Sequence, residues 1–413
     1  MASRFVRDRH AFGTPNKKEN CFDNLKVTRS AWDTNLVSAN PLFVAVNLEA
    51  GGGGSAMIWK IPEGGLTESI STPVLTLAGH QRKVGHVLFN PVADNILATT
   101  SADFLVKIWD ISTGQEKFEL NGHTEIINSI CWSWEGNLLF SACKDKKLRV
   151  WDVRSGKVVQ EAAGHQGVKG SRVVSMGNSP YITTTGFSRS SDRQVFVWDY
   201  KNLSQPVKQE NIDTASGLLI PYFDSDTNML YLAGKGDGNI RYYEWVEEEK
   251  NLYILSEYKS SDPLRGICFL PKRACAINEV EVARIYKVHP TMVEPISFKV
   301  PRKSDLFQSD LFPDTIGPNP TMTAAEWLSG KTAGPKLISL EAGFVPPAPK
   351  EFVTTGSATV TPSTTAPPPL NEKEYQEQYN ILKKENEELK GVISQKDVRI
   401  RQLEAQLASM STQ

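Results

Sequence analysis

A Gly-His pair followed by a Trp-Asp pair recurs along this chain at a nearly fixed interval, and that recurrence limits the possible folds more than any other feature. "LAGH" (77–80) precedes "VKIWD" (106–110), "LNGH" (120–123) precedes "LRVWD" (148–152), and "AAGH" (162–165) precedes "VFVWD" (195–199). The spacings Trp109 to Trp151 to Trp198 are 42 and 47 residues, the period of a four-stranded propeller blade. Two fainter copies continue the series, with Tyr243 45 residues further on and Tyr286 another 43 beyond it. The expectation is an all-β, WD-repeat β-propeller over residues 1–300, built from segments that alternate apolar and polar positions.

Each strong repeat also carries the parts of a buried polar strut. His80, Thr99, Asp103 and Trp109 form one set, and His123, Ser141, Asp145 and Trp151 the next, with Asp six residues before Trp in both. His165, Asp192 and Trp198 repeat the arrangement across a longer turn, "GFSRSSD". A hydroxyl shared by imidazole and indole, and an Asp accepting from a tight turn, would satisfy atoms that burial otherwise strands. His beside Ser and Asp also resembles a catalytic triad. Recurrence once per blade assigns these residues to the fold instead.

Other signals exclude whole classes. "SGKT" (329–332) lacks the first glycine of a phosphate loop, since Ala325 stands there, and "GKGDGN" (234–239) has hairpin rather than dinucleotide spacing. No zinc or hydrolase motif occurs, so neither enzyme chemistry, a cofactor nor a metal is expected. With 46 Lys+Arg against 47 Asp+Glu, no global field favours nucleic acid. Five widely spaced cysteines suggest a reducing compartment, and the absence of a long apolar run predicts no integral membrane segment.

Beyond residue 300 the pattern changes. Residues 301–344 are rich in Pro and Asp but carry Phe307, Leu311, Phe312 and Trp327, too apolar for a free tether, so an extension packed on the propeller is expected. Residues 345–371 form a Pro/Thr/Ser-rich linker. Residues 372–410 read in heptads with Tyr379, Asn386, Ile393, Ile400 and Leu407 at a, and with Leu382, Leu389 and Leu403 among the d positions. A 3.5-residue seam of this kind predicts a coiled coil and self-association.

Several longer stretches are specific rather than generic. "RHAFG" (9–13), "NLKVTRSAWD" (24–33), "CKDKKLRVWD" (143–152), "TTGFSRSSDRQ" (184–194), "AGKGDGNIRYYE" (233–244) and "PRKSDLFQSDLFPDT" (301–315) resemble the coronins, actin-binding WD-repeat proteins, over essentially the whole chain. The resemblance implies a cytoplasmic protein of the actin cytoskeleton and cell cortex that binds and cross-links filamentous actin, with a coiled coil that engages the actin-related-protein nucleating complex. It implies an N-terminal strand closing the ring against the last blade. It also implies actin contacts at Lys26 and Arg29, in a first 30 residues holding seven Lys+Arg and three Asp+Glu, with Arg82 and Lys83 as a second patch. In "RIRQLE", Arg399, Ile400, Leu403 and Glu404 match the trimer pattern of such coiled coils, whereas Asn386 argues for a dimer; a homotrimer is the expectation. The alternative is a generic WD-repeat scaffold without direct actin binding.

The family has seven blades, yet only six units are countable here, at Trp59, Trp109, Trp151, Trp198, Tyr243 and Tyr286. "GGGGSAM" (51–57), which resembles the third strand of blade one, runs straight into "IWKIPEGGL" (58–66), which resembles the end of blade two. About one blade's length is expected to be absent.

Overall fold

Alternating apolar positions in short strands leave each sheet with two faces to bury, and radial stacking of sheets is what buries both. The computed structural model of the chain describes residues 12–15, 37–39, 43–48, 55–60, 77, 79–82, 84–302 and 306–343. The chain divides into two compact units, Met1–Ala348 and Pro349–Gln413. The linker and the coiled-coil heptads lie outside the described residues.

Six radial sheets are present among those residues. The first has three strands, Val37–Ala39, Phe43–Leu48 and Ser55–Lys60. Leu48 pairs with Ser55, and the run of glycines at 51–54 lies outside the described residues. Four four-stranded antiparallel blades follow: Val84–Leu120, Ile127–Ala163, Arg172–Asp213 and Leu219–Tyr258. The sixth uses Gly266–Phe269, Glu281–Val288 and Val293–Lys299, and takes its outer strand, Phe12–Pro15, from the N-terminus, with Phe12 opposite Lys299 and Pro15 opposite Ile296. Gly13 is required there, because a Cβ would lie 2.9 Å from both Phe298 and Tyr258.

Tyr286 marks the sixth unit but occupies its second strand, Glu281–Val288, and not the third strand where Trp109, Trp151, Trp198 and Tyr243 stand. The cause is the connection between Phe269 and Glu281, which holds two 3-10 turns, Lys272–Ala274 and Ile277–Glu279. This longer connection delays the third strand to Val293–Lys299.

The first strand of each blade lies innermost. Those of the third and fourth blades are tied by Val173 N–H to Ser129 Oγ at 3.2 Å and Arg172 to Asn128 O at 2.6 Å. The second blade differs: cross-strand pairing places Val84, Val87 and Phe89 on one face of its inner strand, and they are 40%, 60% and 63% exposed. Leu88, on the opposite face, packs into the core shared with the third blade.

Residues 306–343 run along the end of the propeller where the first strands finish. Leu311, Phe312 and Leu340 join the core of the fifth and sixth blades, and Met322 bridges to Ala93. The short helix Ala324–Leu328 begins with a Thr323/Glu326 capping box and inserts Trp327 between the second and third blades. Its ring is fully buried against Trp132 and Phe118, its N–H donates to Gly136 O at 2.9 Å, and Arg154 stacks over it at 4.9 Å. Trp327→Ala leaves a large cavity, while Gly136 O keeps its bond from Asn90 Nδ2, so urea unfolding is expected to show a loss of about 3–5 kcal/mol.

Candidate functional site

The Trp-Asp repeats place one polar strut in each of three blades. In the second blade Trp109 N–H donates to Thr99 Oγ1 at 2.8 Å, His80 Nε2 lies 2.7 Å from the same hydroxyl, and His80 Nδ1 lies 3.0 Å from Asp103 Oδ2. Asp103 is a carboxylate that can only accept, so Nδ1 carries the proton and Nε2 receives the Thr99 proton. Burial opposes ionisation of Asp103, but bonds from His80 and from the Leu105 and Gln81 backbone N–H groups hold its pKa below the ordinary value.

The third blade repeats the shared hydroxyl, with Ser141 3.0 Å from the Trp151 indole N and 2.9 Å from His123 Nε2. Its Asp has another partner: Arg149 grips Asp145 at 2.6 Å. Burial alone would raise that carboxyl, and the Arg149 guanidinium overrides it, bringing the pKa to about 2. In the fourth blade Thr184 takes the hydroxyl role, at 3.0 Å from His165 and 2.9 Å from Trp198, while Asp192 accepts from Ser188 and Ser190 in its own turn. Thr184 escaped the sequence reading because the longer turn puts it 14 residues before its Trp instead of 10. Gly186 makes room for this strut, since a Cβ there would meet His165 Cγ at 2.4 Å.

His123 and His165 each leave Nδ1 buried without a partner among the described residues. Burial therefore disfavours their charged forms and lowers both to about 4, helped at His123 by Arg149. His86 is likewise lowered to about 4, by burial and then by Arg172. These are structural imidazoles, held neutral.

The connections between blades, and those between second and third strands, gather at one end of the propeller, opposite the 306–343 extension. Arg82, Lys144, Lys146, Lys169 and Arg189 are exposed there, and Lys235 and Arg265 are half-buried. Lys169, Lys235 and Arg265 border a hollow of about 450 Å³. The carboxylates of this end are largely consumed internally: beside Asp103, Asp145 and Asp192, Asp213 receives a bidentate pair from Arg193 at 2.5 Å, and Asp237 meets Arg193 at 2.9 Å. The face is therefore cationic although the chain as a whole is not. Arg82 stands on this rim, and its carbonyl accepts from Ser101 Oγ at 2.9 Å. Lys26, Arg29 and Lys83 lie outside the described residues, as do Leu382, Leu389, Ile393, Arg399, Ile400, Leu403, Glu404 and Leu407.

Comparison with known proteins agrees with this architecture. Models described as "WD domain, G-beta repeat" match residues 71–110 and 114–152, a "type of WD40 repeat" matches 293–335, and a domain of unknown function matches 2–65. Coronin-A of Dictyostelium discoideum is 44% identical, with 97% of this chain and 99% of that protein covered. This chain belongs to the coronin family. Human coronin-2A is 35% identical over 82% of this chain and 75% of its own length. The crystal structure of the WD40 domain of Toxoplasma gondii coronin superposes with a TM-score of 0.75 at 29% identity, covering 80% of this chain and 97% of that one. The alignment to the Dictyostelium coronin runs over 456 positions, whereas this coronin has 413 residues.

The neutral histidines set an acid limit. Each has a folded pKa of about 4 and an unfolded value near 6.5, so its contribution is complete above about pH 6.5 and is lost as pH falls towards 4, on the order of 3 kcal/mol apiece. Asp145, lowered to about 2, loses its contribution only below about pH 4. Asp226, raised to about 6 by burial and by Asp224, works in the opposite sense. His123→Gln should therefore flatten the fall in melting temperature between pH 6.5 and 4 relative to wild type, and equal slopes would contradict the assignment.

Proposed function

We propose that this coronin binds filamentous actin through the cationic end of its propeller and cross-links filaments by self-association of residues 372–410. The cationic excess of that end, in a chain of nearly zero net charge, carries the reading. A positive face suits the acidic surface of an actin filament and steers encounter with it. Lys26 and Arg29, in the basic first 30 residues, together with Arg82 on the rim and Lys83 next to it in sequence, are the contacts we assign.

The organisation that supports this is a propeller over 1–300, an extension over 301–344, a linker over 345–371 and a trimeric coiled coil over 372–410. Leu382, Leu389, Ile393, Ile400, Leu403 and Leu407 would form its seam, with Arg399 and Glu404 setting the trimer. Joining three propellers turns weak single sites into avidity of about a hundredfold or more where geometry allows simultaneous engagement. The same helix would engage the actin-related-protein nucleating complex. The protein acts by binding, in the cytoplasm at the cell cortex, without catalysis.

Co-sedimentation with filamentous actin tests this. The full chain should pellet, a chain ending at Pro346 should pellet more weakly, and reversing Lys26 and Arg29 to Glu should reduce pelleting without altering the melt. Raising salt should weaken binding in parallel. A folded full chain that stays in the supernatant would favour a scaffold without direct actin binding. Undiminished pelleting of the charge-reversed variant would remove those two residues from the site.

A further inference from the structure

The end of the propeller opposite the cationic rim holds a cavity of about 440 Å³, formed where the innermost strands of the second to sixth blades end beside the extension strand Thr315–Ile316. Its volume lies within the range of ligand sites, about 300–1,000 Å³. It admits the tip of a peptide and excludes a folded domain.

Two features of its wall are uncompensated. Phe89 is 63% exposed, beside Trp132 and Trp134 on the same wall. On the other side Arg273 is half-buried. Its Nη1 donates to Ile316 O at 3.1 Å, its Nε has no partner, and no carboxylate pairs with it among the described residues. Its neighbour Lys272 differs, being buried in an ion pair with Asp224. Burial lowers the Arg273 pKa with nothing opposing it, the signature of a cation without a counter-ion.

An aromatic wall and a guanidinium without a counter-ion together specify a ligand. We propose that this cavity binds a short peptide segment from a partner protein, carrying an acidic side chain for Arg273 and an aromatic side chain for the Phe89–Trp134 wall. Charge complementarity decides for an acidic segment: a partner carboxylate would supply the counter-ion that Arg273 lacks, in a charge-assisted and commonly bidentate bond. The stacked pair Tyr222–Phe269, with centroids 3.6 Å apart, makes a rigid floor. The site lies at the end opposite the cationic rim, so its occupancy is independent of the actin reading.

The test uses the full chain and three fluorescein-labelled probes: acetyl-Asp-Glu-Phe-amide, its uncharged counterpart acetyl-Asn-Gln-Phe-amide, and acetyl-Asp-Glu-Ala-amide. Fluorescence anisotropy should show saturable binding of the first and at least about tenfold weaker binding of the other two. Arg273→Gln should abolish the advantage of the acidic probe over the uncharged one, and Arg273→Lys should restore part of it. Phe89→Ala, at an exposed position that leaves the fold intact, should abolish the advantage of the Phe probe over the Ala probe. Equal binding of acidic and uncharged probes, no saturable binding by the wild-type chain, or unchanged selectivity in a folded Arg273→Gln variant would each overturn the assignment.

Discussion

Closure of the ring is the constraint on which the rest of this protein depends. A radial array of sheets leaves an unsatisfied face at each end unless the last meets the first, and the chain meets this need with its own N-terminus. The four residues Phe12–Pro15 supply the outer strand of the sixth blade, so that blade is covalently continuous with the chain entering the first. Phe298, opposite Gly13, is fully buried and makes edge contacts with Tyr231, Tyr242 and Tyr258. The closing strand is thus anchored in the aromatic core of the fifth and sixth blades, not only by backbone bonds.

The seam where closure is weakest coincides with the joined segment. Val37–Ala39 lies beside Gly266–Phe269, so the first sheet is seated against the sixth. On its other side the inner strand of the second blade turns Val84, Val87 and Phe89 to solvent. In a propeller that face belongs against a preceding blade. The alignment to the Dictyostelium relative is longer than this chain. Exposed apolar patches of this kind invite association, and Phe89 also lines the cavity at the end of these strands.

The periodic part of the fold was legible in the sequence because one polar strut per blade must recur at the blade period. The hydroxyl of Thr184 and the strand of Tyr286 were not, for a single reason: connection length varies freely at the surface, and each added residue shifts a fixed offset. The Arg193–Asp213–Arg241 cluster was invisible as well, since its members come from different strands of two blades and form no local spacing. The candidate surface was half legible. The basic words of the first 30 residues stand out, but the cationic character of the rim does not, because it depends on which carboxylates are already spent. Asp103, Asp145, Asp192, Asp213 and Asp237 count as five charges in composition and offer little to a partner.

That spending of carboxylates links stability to function in one step. The struts and ion pairs that satisfy buried polar atoms draw their acids from the turns at one end, so the groups that fix the blades also engage most carboxylates of that face with internal donors. Arg149 and Arg193 are themselves buried by the same pairings, at 2% and 1% exposure. What remains outward on those turns is Lys144 and Lys146, on either side of Asp145, and Arg189, three residues before Asp192. The positive character of this face therefore reflects which charges reach solvent: Asp145 and Asp213 are each matched by a buried Arg, while the lysines and arginines left over are the exposed groups. At the opposite end the balance is reversed in one place: Lys272 takes Asp224, the adjacent Arg273 is left without an acid, and a cavity opens in front of it.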